Sequence, residues 1–380
     1  MATTVKIDLT NQDLLSGIRD FFQSILKQEE INTMLVPQHL PMQNSVMPVL
    51  ISDPDKLDGA DPLSPAFMMN SAKMVSRLSR KPAGMKTAVV LRPCEIRAFV
   101  ELVKLKQARM DELVIIGVDC LGALSNRDFI RFAGDDLKTT SLRFCENILT
   151  GKGTGKEGFE LTSACRACES PIPEGADIVI GLFGMDLKDQ IMVQSRTAKG
   201  DELLKRLDFP KSEEPPGRKE TIDNIVSERK SFRDKMFVET AEAVNDLDKL
   251  SAYLAGCVNC YNCRVACPVC YCKECVFMTD VFNHEPSQYQ QWALRKGSLK
   301  MPTDTLFYHI TRAAHISTAC VGCGQCSNAC PNDIRLMELF RTIAQRTQSA
   351  FGYEAGRSVD DPPPLSEFKE DEFEEVVGIG

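Results

Sequence analysis

Two cysteine runs restrict this chain more than any other feature. Cys257, Cys260, Cys263 and Cys267 precede Pro268, and Cys320, Cys323, Cys326 and Cys330 precede Pro331, so C-x2-C-x2-C-x3-C-P occurs twice without a change. Three thiolates, each three residues apart on a tight loop, can wrap one face of an iron-sulfur cubane, and the fourth, beside a proline that turns the chain away, reaches the other cluster. The spacing therefore predicts two 4Fe-4S clusters. One is assigned to Cys257, Cys260, Cys263 and Cys330, and the other to Cys320, Cys323, Cys326 and Cys267. Structural zinc also uses C-x2-C pairs, but it wants two pairs split by a longer loop and has no use for a repeated triplet followed by C-x3-C-P.

The rest of the composition sets the surroundings. The first eight residues lack a basic segment followed by an apolar stretch and a cleavage site, so the chain is expected to stay in the cytoplasm. Thiols are held reduced there, and 16 cysteines point to metal rather than to a disulfide framework. With 43% hydrophobic residues in 380, two or three domains can bury real cores. No apolar run reaches the roughly 18 residues of a membrane span. Lys and Arg total 45 against 53 Asp and Glu, a net charge of −8 with no long basic block, so nucleic acid is not an expected partner.

The cysteines also divide the chain. Residues 87–91 and 113–118 read as short buried strands, and 95–107 between them places Ile96, Phe99, Val100 and Val103 on one helical face, which together make a βαβ unit with parallel pairing. Residues 14–25 have helical spacing and 177–182 read as a further strand. The expectation is an α/β domain over 1–210 with a mixed or parallel sheet. Pro215, Pro216 and Gly217 then begin a charged stretch, taken as a linker and exposed helix over 211–250. Residues 251–345 show helical spacing at 303–316 and 333–345 and almost no alternation, which predicts an all-α two-cluster ferredoxin domain. Residues 346–380, with Pro362 to Pro364 and the acidic run 367–375, read as a solvated acidic tail, docking onto a basic partner being the lesser reading.

Four further cysteines sit where an α/β domain places ligands. Cys94 follows the first strand of the βαβ unit after Arg92 and Pro93, Cys120 follows the second, and Cys165 and Cys168 form a C-x2-C loop. Parallel neighbouring strands bring Cys94 and Cys120 to the same carboxyl edge of the sheet, where four thiolates could converge on a third cluster. Buried or incidental cysteine is the competing reading. Cys270, Cys272 and Cys275 form C-x-C-x2-C just after Pro268. They could ligate a fourth cluster, with Cys145 or an outside ligand, or stand as thiols behind the ligands; Cys145 alone reads as a buried residue.

Resemblance adds to this reading. The segments LRPCEIRAFVEL (91–102), IIGVDCLGA (115–123) and SACRACESPIPEGADIVIGLFG (163–184) resemble, in the same order, the Pro-Cys, strand-end Cys and C-x2-C segments of the β-subunit family of the deazaflavin (coenzyme F420) reducing hydrogenase and the related formate dehydrogenase. Residues 251–345 are similar to the α-helical ferredoxin domain of heterodisulfide reductase iron-sulfur subunits. The first resemblance implies a 4Fe-4S cluster at Cys94, Cys120, Cys165 and Cys168 beside a flavin, FAD. The family's usual Thr before Pro-Cys is Arg92 here, which implies an arginine at the flavin edge. It further implies an oxidoreductase subunit that passes electrons between a hydride carrier, coenzyme F420 or a nicotinamide, and the catalytic subunit of a formate dehydrogenase, hydrogenase or heterodisulfide-reductase-like complex. A flavin-free multi-cluster electron carrier is the alternative.

Other signals are weak. Residues 151–158 (GKGTGKEG) lack the end of a P-loop and read as a surface loop. His39, His284, His309 and His315 have no ligand spacing, Met68, Met69 and Met74 read as core filling, and no catalytic residue is identified.

Overall fold

The computed structural model describes residues 3–9, 13–41, 45–134, 137–185, 187 and 189–367. Seven strands form one mixed sheet: β1 (Thr4–Asp8), β2 (Ile31–His39), β3 (Val46–Ile51), β4 (Lys86–Leu91), β5 (Leu113–Val118), β6 (Ile178–Gly181) and β7 (Gln190–Ser195), in the order β1-β7-β6-β5-β4-β2-β3. The central strands β2, β4, β5 and β6 run parallel, and β3, β7 and β1 pair antiparallel at the two sides.

The expected βαβ unit is present, with Val89 opposite Ile115 in the parallel register. Its strands read as continuous apolar runs because both faces of the sheet are covered. The alternation is visible in where the side chains go. Val90, Val114, Ile116 and Ile180 enter one core, and Val89, Leu91, Leu113, Ile115 and Val179 enter the other.

Helices α1 (Leu14–Leu26), α2 (Ala72–Ser79), α3 (Pro93–Lys104), α4 (Asn126–Ala133), α5 (Leu137–Leu149), α6 (Ser163–Arg166) and α7 (Ala198–Leu207) belong to this half. The α1 helix starts where the Asp13 carboxylate accepts the Ser16 amide at 3.1 Å, and it buries Leu14, Ile18, Phe21, Phe22 and Ile25 at helical spacing against the first face. The opposite face receives Ala72 and Val75 of α2 with Ile96, Phe99 and Val100 of α3.

From residue 218 onward the described chain is helical: α8 (Arg218–Ala243), α9 (Leu247–Tyr253), α10 (Asn262–Ala266), α11 (Pro286–Lys296), α12 (Thr305–Ile316), α13 (Gln325–Asn328) and α14 (Leu336–Ala350), with short 3-10 turns. Tyr308, Ile316, Leu336, Leu339 and Phe340 join the same core as Phe99 and Ile115. Burial of each such side chain contributes roughly 1.5–3 kcal/mol, so this shared apolar core, with α6 against α8 and α14, holds the cysteine-rich helices against the sheet half. No described helix is long and apolar enough to cross a membrane.

Two features depart from the sequence reading. The hairpin β2–β3 had no expectation, because Pro37 and Pro48 interrupt its pattern; they face each other at Pro37↔Pro48, beyond the part of β2 that pairs with β4, and β3 is an edge strand. The solvated tail expected from residue 346 does not begin there. The helix α14 runs to Ala350, and the chain after it returns to α3. The Tyr353 hydroxyl and the Gly356 amide both donate to Oε1 of Glu101 at 2.7 Å, and Nη2 of Arg97 donates to the Ala355 carbonyl at 2.8 Å. Glu101 is 1% exposed, so an unpaired carboxylate there would be costly; Lys104 pairs with it at 2.7 Å, and the return segment adds these two hydrogen bonds. Of the acidic run 367–375, all but Glu367 lies outside the described residues.

Candidate iron-sulfur site

Strand ends position the first set of thiols. Pro93 occupies the first turn of α3 and Cys94 follows it, at the corner where β4 ends. That corner is fixed by Glu95, whose Oε2 accepts the Arg92 amide at 2.9 Å and whose Oε1 accepts the Ser71 amide at 2.7 Å. Cys120 lies two residues past β5, with its amide bonded to the Pro171 carbonyl at 2.8 Å. The short helix α6 carries Cys165 and is capped by Thr162.

One cavity is lined by Cys94, Cys120, Cys165 and Cys168 together, with Arg92, Gly122 and Cys323 of the second run. The expected convergence at the carboxyl edge of the sheet is thus seen as geometry. Burial raises the Cys94 thiol well above its ordinary pKa, with further rises from Cys323 and Cys120, and pushes Cys120 up to about 11 despite the Arg92 and Arg229 guanidiniums. As free thiols these groups would be protonated. Four partly buried thiols with no carboxylate lining the cavity suit a soft metal cluster, which deprotonates its own ligands. The Ala123 amide already donates to Sγ of Cys165 at 3.2 Å, the kind of bond that sulfur in a cluster accepts.

The two C-terminal runs fold into the same loop. In the first, Asn259 and Tyr261 have φ of 50° and 60°; in the second, Gly322 and Gly324 at the equivalent positions have φ of 68° and 80°. Alternation between right- and left-handed backbone turns successive N–H groups to one side and makes the concavity in which Fe–S clusters sit. Glycine is also required by space in the second loop. A Cβ on Gly322 would lie 1.9 Å from Nη1 of Arg341, and one on Gly324 would lie 2.5 Å from Cβ of Ala164.

The fourth cysteine of each run lies within electrostatic reach of the other run: Cys267 raises Cys320, Cys323 and Cys326, and Cys330, with Cys263, raises Cys257. Cys260, between Cys257 and Cys263 in the loop, is exposed. Cys323 lines the first cavity, so the first-domain thiols and the second run meet.

The remaining thiols have separate surroundings. Cys270 is beside Cys267 and is raised to about 11, chiefly by burial; Cys272 is exposed; and Cys275 lies near Tyr261. Cys145 packs in the core on the opposite side of the sheet from Cys270 and Cys275, so it does not join them, and its Sγ faces the Leu63 carbonyl. Among the described residues no three His, Cys, Asp or Glu side chains are placed to hold a single metal ion.

Arg92 does border the thiol cavity. Its Nη2 donates to the carbonyls of Ser64 at 2.6 Å and Ala66 at 2.5 Å, and its guanidinium lies 4.9 Å from the Phe67 ring centroid. Residues 151–158 form a largely exposed loop, as read.

Sequence reasoning placed a helix at 303–316 but missed that it faces the sulfurs. On α12, the Tyr308 hydroxyl is 3.5 Å from Sγ of Cys263, Nε2 of His309 is 3.3 Å from Sγ of Cys257, and Nη1 of Arg312 donates to Sγ of Cys263 at 3.1 Å. Burial holds His309 down at about 3, which keeps its ring neutral. The signal available was a cluster of polar side chains one helical turn apart between two cysteine runs, and spacing alone does not say which way it faces. Asp119, directly before Cys120, was missed as well. It is buried and accepts from Arg218 and from the amides of Leu182 and Phe183.

Two stretches of the chain match known families. Residues 84–209 match the family described as the C terminus of the coenzyme F420 hydrogenase/dehydrogenase beta subunit, and residues 314–335 match the 4Fe-4S binding domain. The chain is 27% identical over 337 residues to the F420-dependent formate dehydrogenase subunit beta of Methanocaldococcus jannaschii, covering 79% of this chain and 85% of that one. It is likewise 27% identical over 308 residues to the F420-dependent formate dehydrogenase 1 subunit beta of Methanococcus maripaludis, covering 74% of this chain and 75% of the relative. A solved chain of the F420-reducing [NiFe] hydrogenase complex from Methanosarcina barkeri aligns with a TM-score of 0.45 at 16% identity, over 65% of this chain and 94% of that one. The relatives are subunits of oxidoreductases, and the stretch that carries Cys94, Cys120, Cys165 and Cys168 is the one that matches the coenzyme F420 hydrogenase/dehydrogenase beta-subunit family, with the match to a 4Fe-4S binding domain following it in the chain.

Proposed function

We propose that this chain is the β-type electron-transfer subunit of a cytoplasmic formate dehydrogenase, hydrogenase or heterodisulfide-reductase-like complex, and that it passes electrons between a hydride carrier at FAD and a catalytic partner. Three 4Fe-4S clusters would be held by Cys94, Cys120, Cys165 and Cys168, by Cys267, Cys320, Cys323 and Cys326, and by Cys257, Cys260, Cys263 and Cys330. The observation that carries this reading is the cavity shared by the first four thiols and Cys323. It makes a direct step from the sheet edge to the helical runs.

A bound flavin supplies the exchange between a two-electron hydride and one-electron clusters. Arg92 fits the flavin edge, because it borders both the thiol cavity and a neighbouring cleft with Ser64, Asp119 and Cys120. A fixed cation there favours negative charge on a reduced flavin. The hydride partner is coenzyme F420, as in the names of the relatives, or a nicotinamide.

The test is anaerobic purification followed by measurement of iron, acid-labile sulfide and released flavin per chain. About twelve irons with one FAD is the expected result. About eight irons without flavin would overturn the flavin reading and leave a cluster carrier.

A further inference from the structure

We propose that Arg312 is a fixed positive charge shared by the two C-terminal cluster sites, and that it raises the reduction potential of both. This rests on the reading that the two cysteine runs hold 4Fe-4S clusters.

Arg312 projects from α12, in the 52-residue stretch that separates Cys267 from Cys320. It is 4% exposed. Its Nη1 donates to Sγ of Cys263 at 3.1 Å and its Nη2 to the carbonyl of the same residue at 3.2 Å, while the guanidinium lies 4.6 Å from the Phe340 ring centroid. Cys263 belongs to the first set of ligands. The short helices α10 and α13, which carry Cys263 and Cys326, pack against each other, and the Arg312 charge reaches Cys326 as well. One guanidinium therefore touches the first set and lies within electrostatic reach of the second.

The burial of this charge needs a reason. Arginine does not give up its proton, and a buried cation is costly unless something negative compensates it. Its Nε has no hydrogen-bond partner, and no ion pair to a described carboxylate accounts for it. The compensating charge is on the sulfurs. A cubane with four thiolates is an anion, and its reduction adds one electron and one further negative charge, with no bond made or broken. A cation and an N–H···S bond beside the sulfurs favour that reduced state, and charge and hydrogen bonding at sulfur are the means by which a protein sets cluster potential. Arg312 touches only Cys263 by hydrogen bond. Its charge should act on both clusters, and its bond on the first alone.

The test is a dithionite redox titration, followed by EPR, of the full chain purified anaerobically, with iron counted beforehand. Cys263→Ser and Cys326→Ser identify which signal belongs to which cluster. In Arg312→Gln both midpoints should fall, each by about a tenfold loss in the reduction equilibrium constant, which is about 59 mV for a one-electron couple. Arg312→Lys keeps the charge without the guanidinium fork, so the second cluster should stay at the wild-type midpoint while the first falls. Should the Gln variant not take up iron, the Lys variant carries the test: a fall in its second midpoint would contradict the proposal. Full iron content with both midpoints unmoved in Arg312→Gln would overturn the inference alone. Iron and EPR signals unchanged in Cys263→Ser and Cys326→Ser would instead overturn the cluster reading on which it rests.

Discussion

The carboxylate of Asp119 is held by the guanidinium of Arg218, which joins the segment just past β5, where Cys120 lies, to the first residue of α8. Both side chains are buried, at 0% and 1% exposure, and Nη2 of Arg218 donates to Oδ1 at 2.9 Å. The pair links the sheet edge to the long helix that leads into the cysteine runs.

Removal of one partner leaves the other as an uncompensated buried charge. Arg218→Met should therefore cost about 3–5 kcal/mol in unfolding free energy. Denaturant unfolding of the anaerobic protein checks this, and a loss below about 1 kcal/mol would mean that the pair is relaxed by water.

Gly356 allows the chain after α14 to lie on α3. Its φ is +77°, and a Cβ would stand 2.4 Å from Cβ of Arg97, whereas Gly84, at φ +70°, has open space around it. Gly84→Ala should cost only the backbone strain, about 1–2 kcal/mol. Gly356→Ala should lower the thermal midpoint further, because it also displaces the bonds to Glu101 and Arg97. Equal losses in the two variants would show that the return segment contributes nothing.

Gly322→Ala tests the second cysteine loop. The new methyl would overlap buried Arg341, whose Nη1 donates to the Val321 carbonyl at 3.1 Å within that loop. The expected outcome is the loss of about four irons, one cluster, with the other signals retained. Full iron content and unaltered EPR would place the cluster elsewhere.

The crossing of the fourth ligands gives a paired prediction. Cys330→Ser should perturb the EPR signal that Cys257→Ser perturbs, and Cys267→Ser the signal that Cys320→Ser perturbs. The opposite pairing would mean that each run closes on its own cluster.

Much of this was legible in the residues. The strand pair β4 and β5 and the helix between them follow from apolar runs and period, and the convergence of Cys94 with Cys120 follows from parallel strands that end at one edge. The proline after the fourth cysteine of each run gives the expectation that Cys267 and Cys330 cross, which the paired variants test. What was not legible depends on tertiary partners. The hairpin β2–β3 tolerates Pro37 and Pro48 because each lies where a ladder bond is not needed on one side. The left-handed positions are announced by glycine at Gly322 and Gly324 but hidden at Asn259 and Tyr261. The return of the chain to Glu101, and the aim of Tyr308, His309 and Arg312 at sulfur, are set by which helix packs against which, and no local pattern carries that.

In the proposed function, electrons follow a continuous path from the sheet-edge thiols to the helical runs. It is tested most directly by mixing the anaerobic, fully loaded chain with the reduced deazaflavin coenzyme and following cluster reduction by EPR, in the wild type and in Cys94→Ser. The clusters of both C-terminal runs should be reduced in the wild type and should fail to be reduced by this donor in Cys94→Ser, although dithionite still reduces them. Equal reduction of those clusters in the two proteins would contradict it.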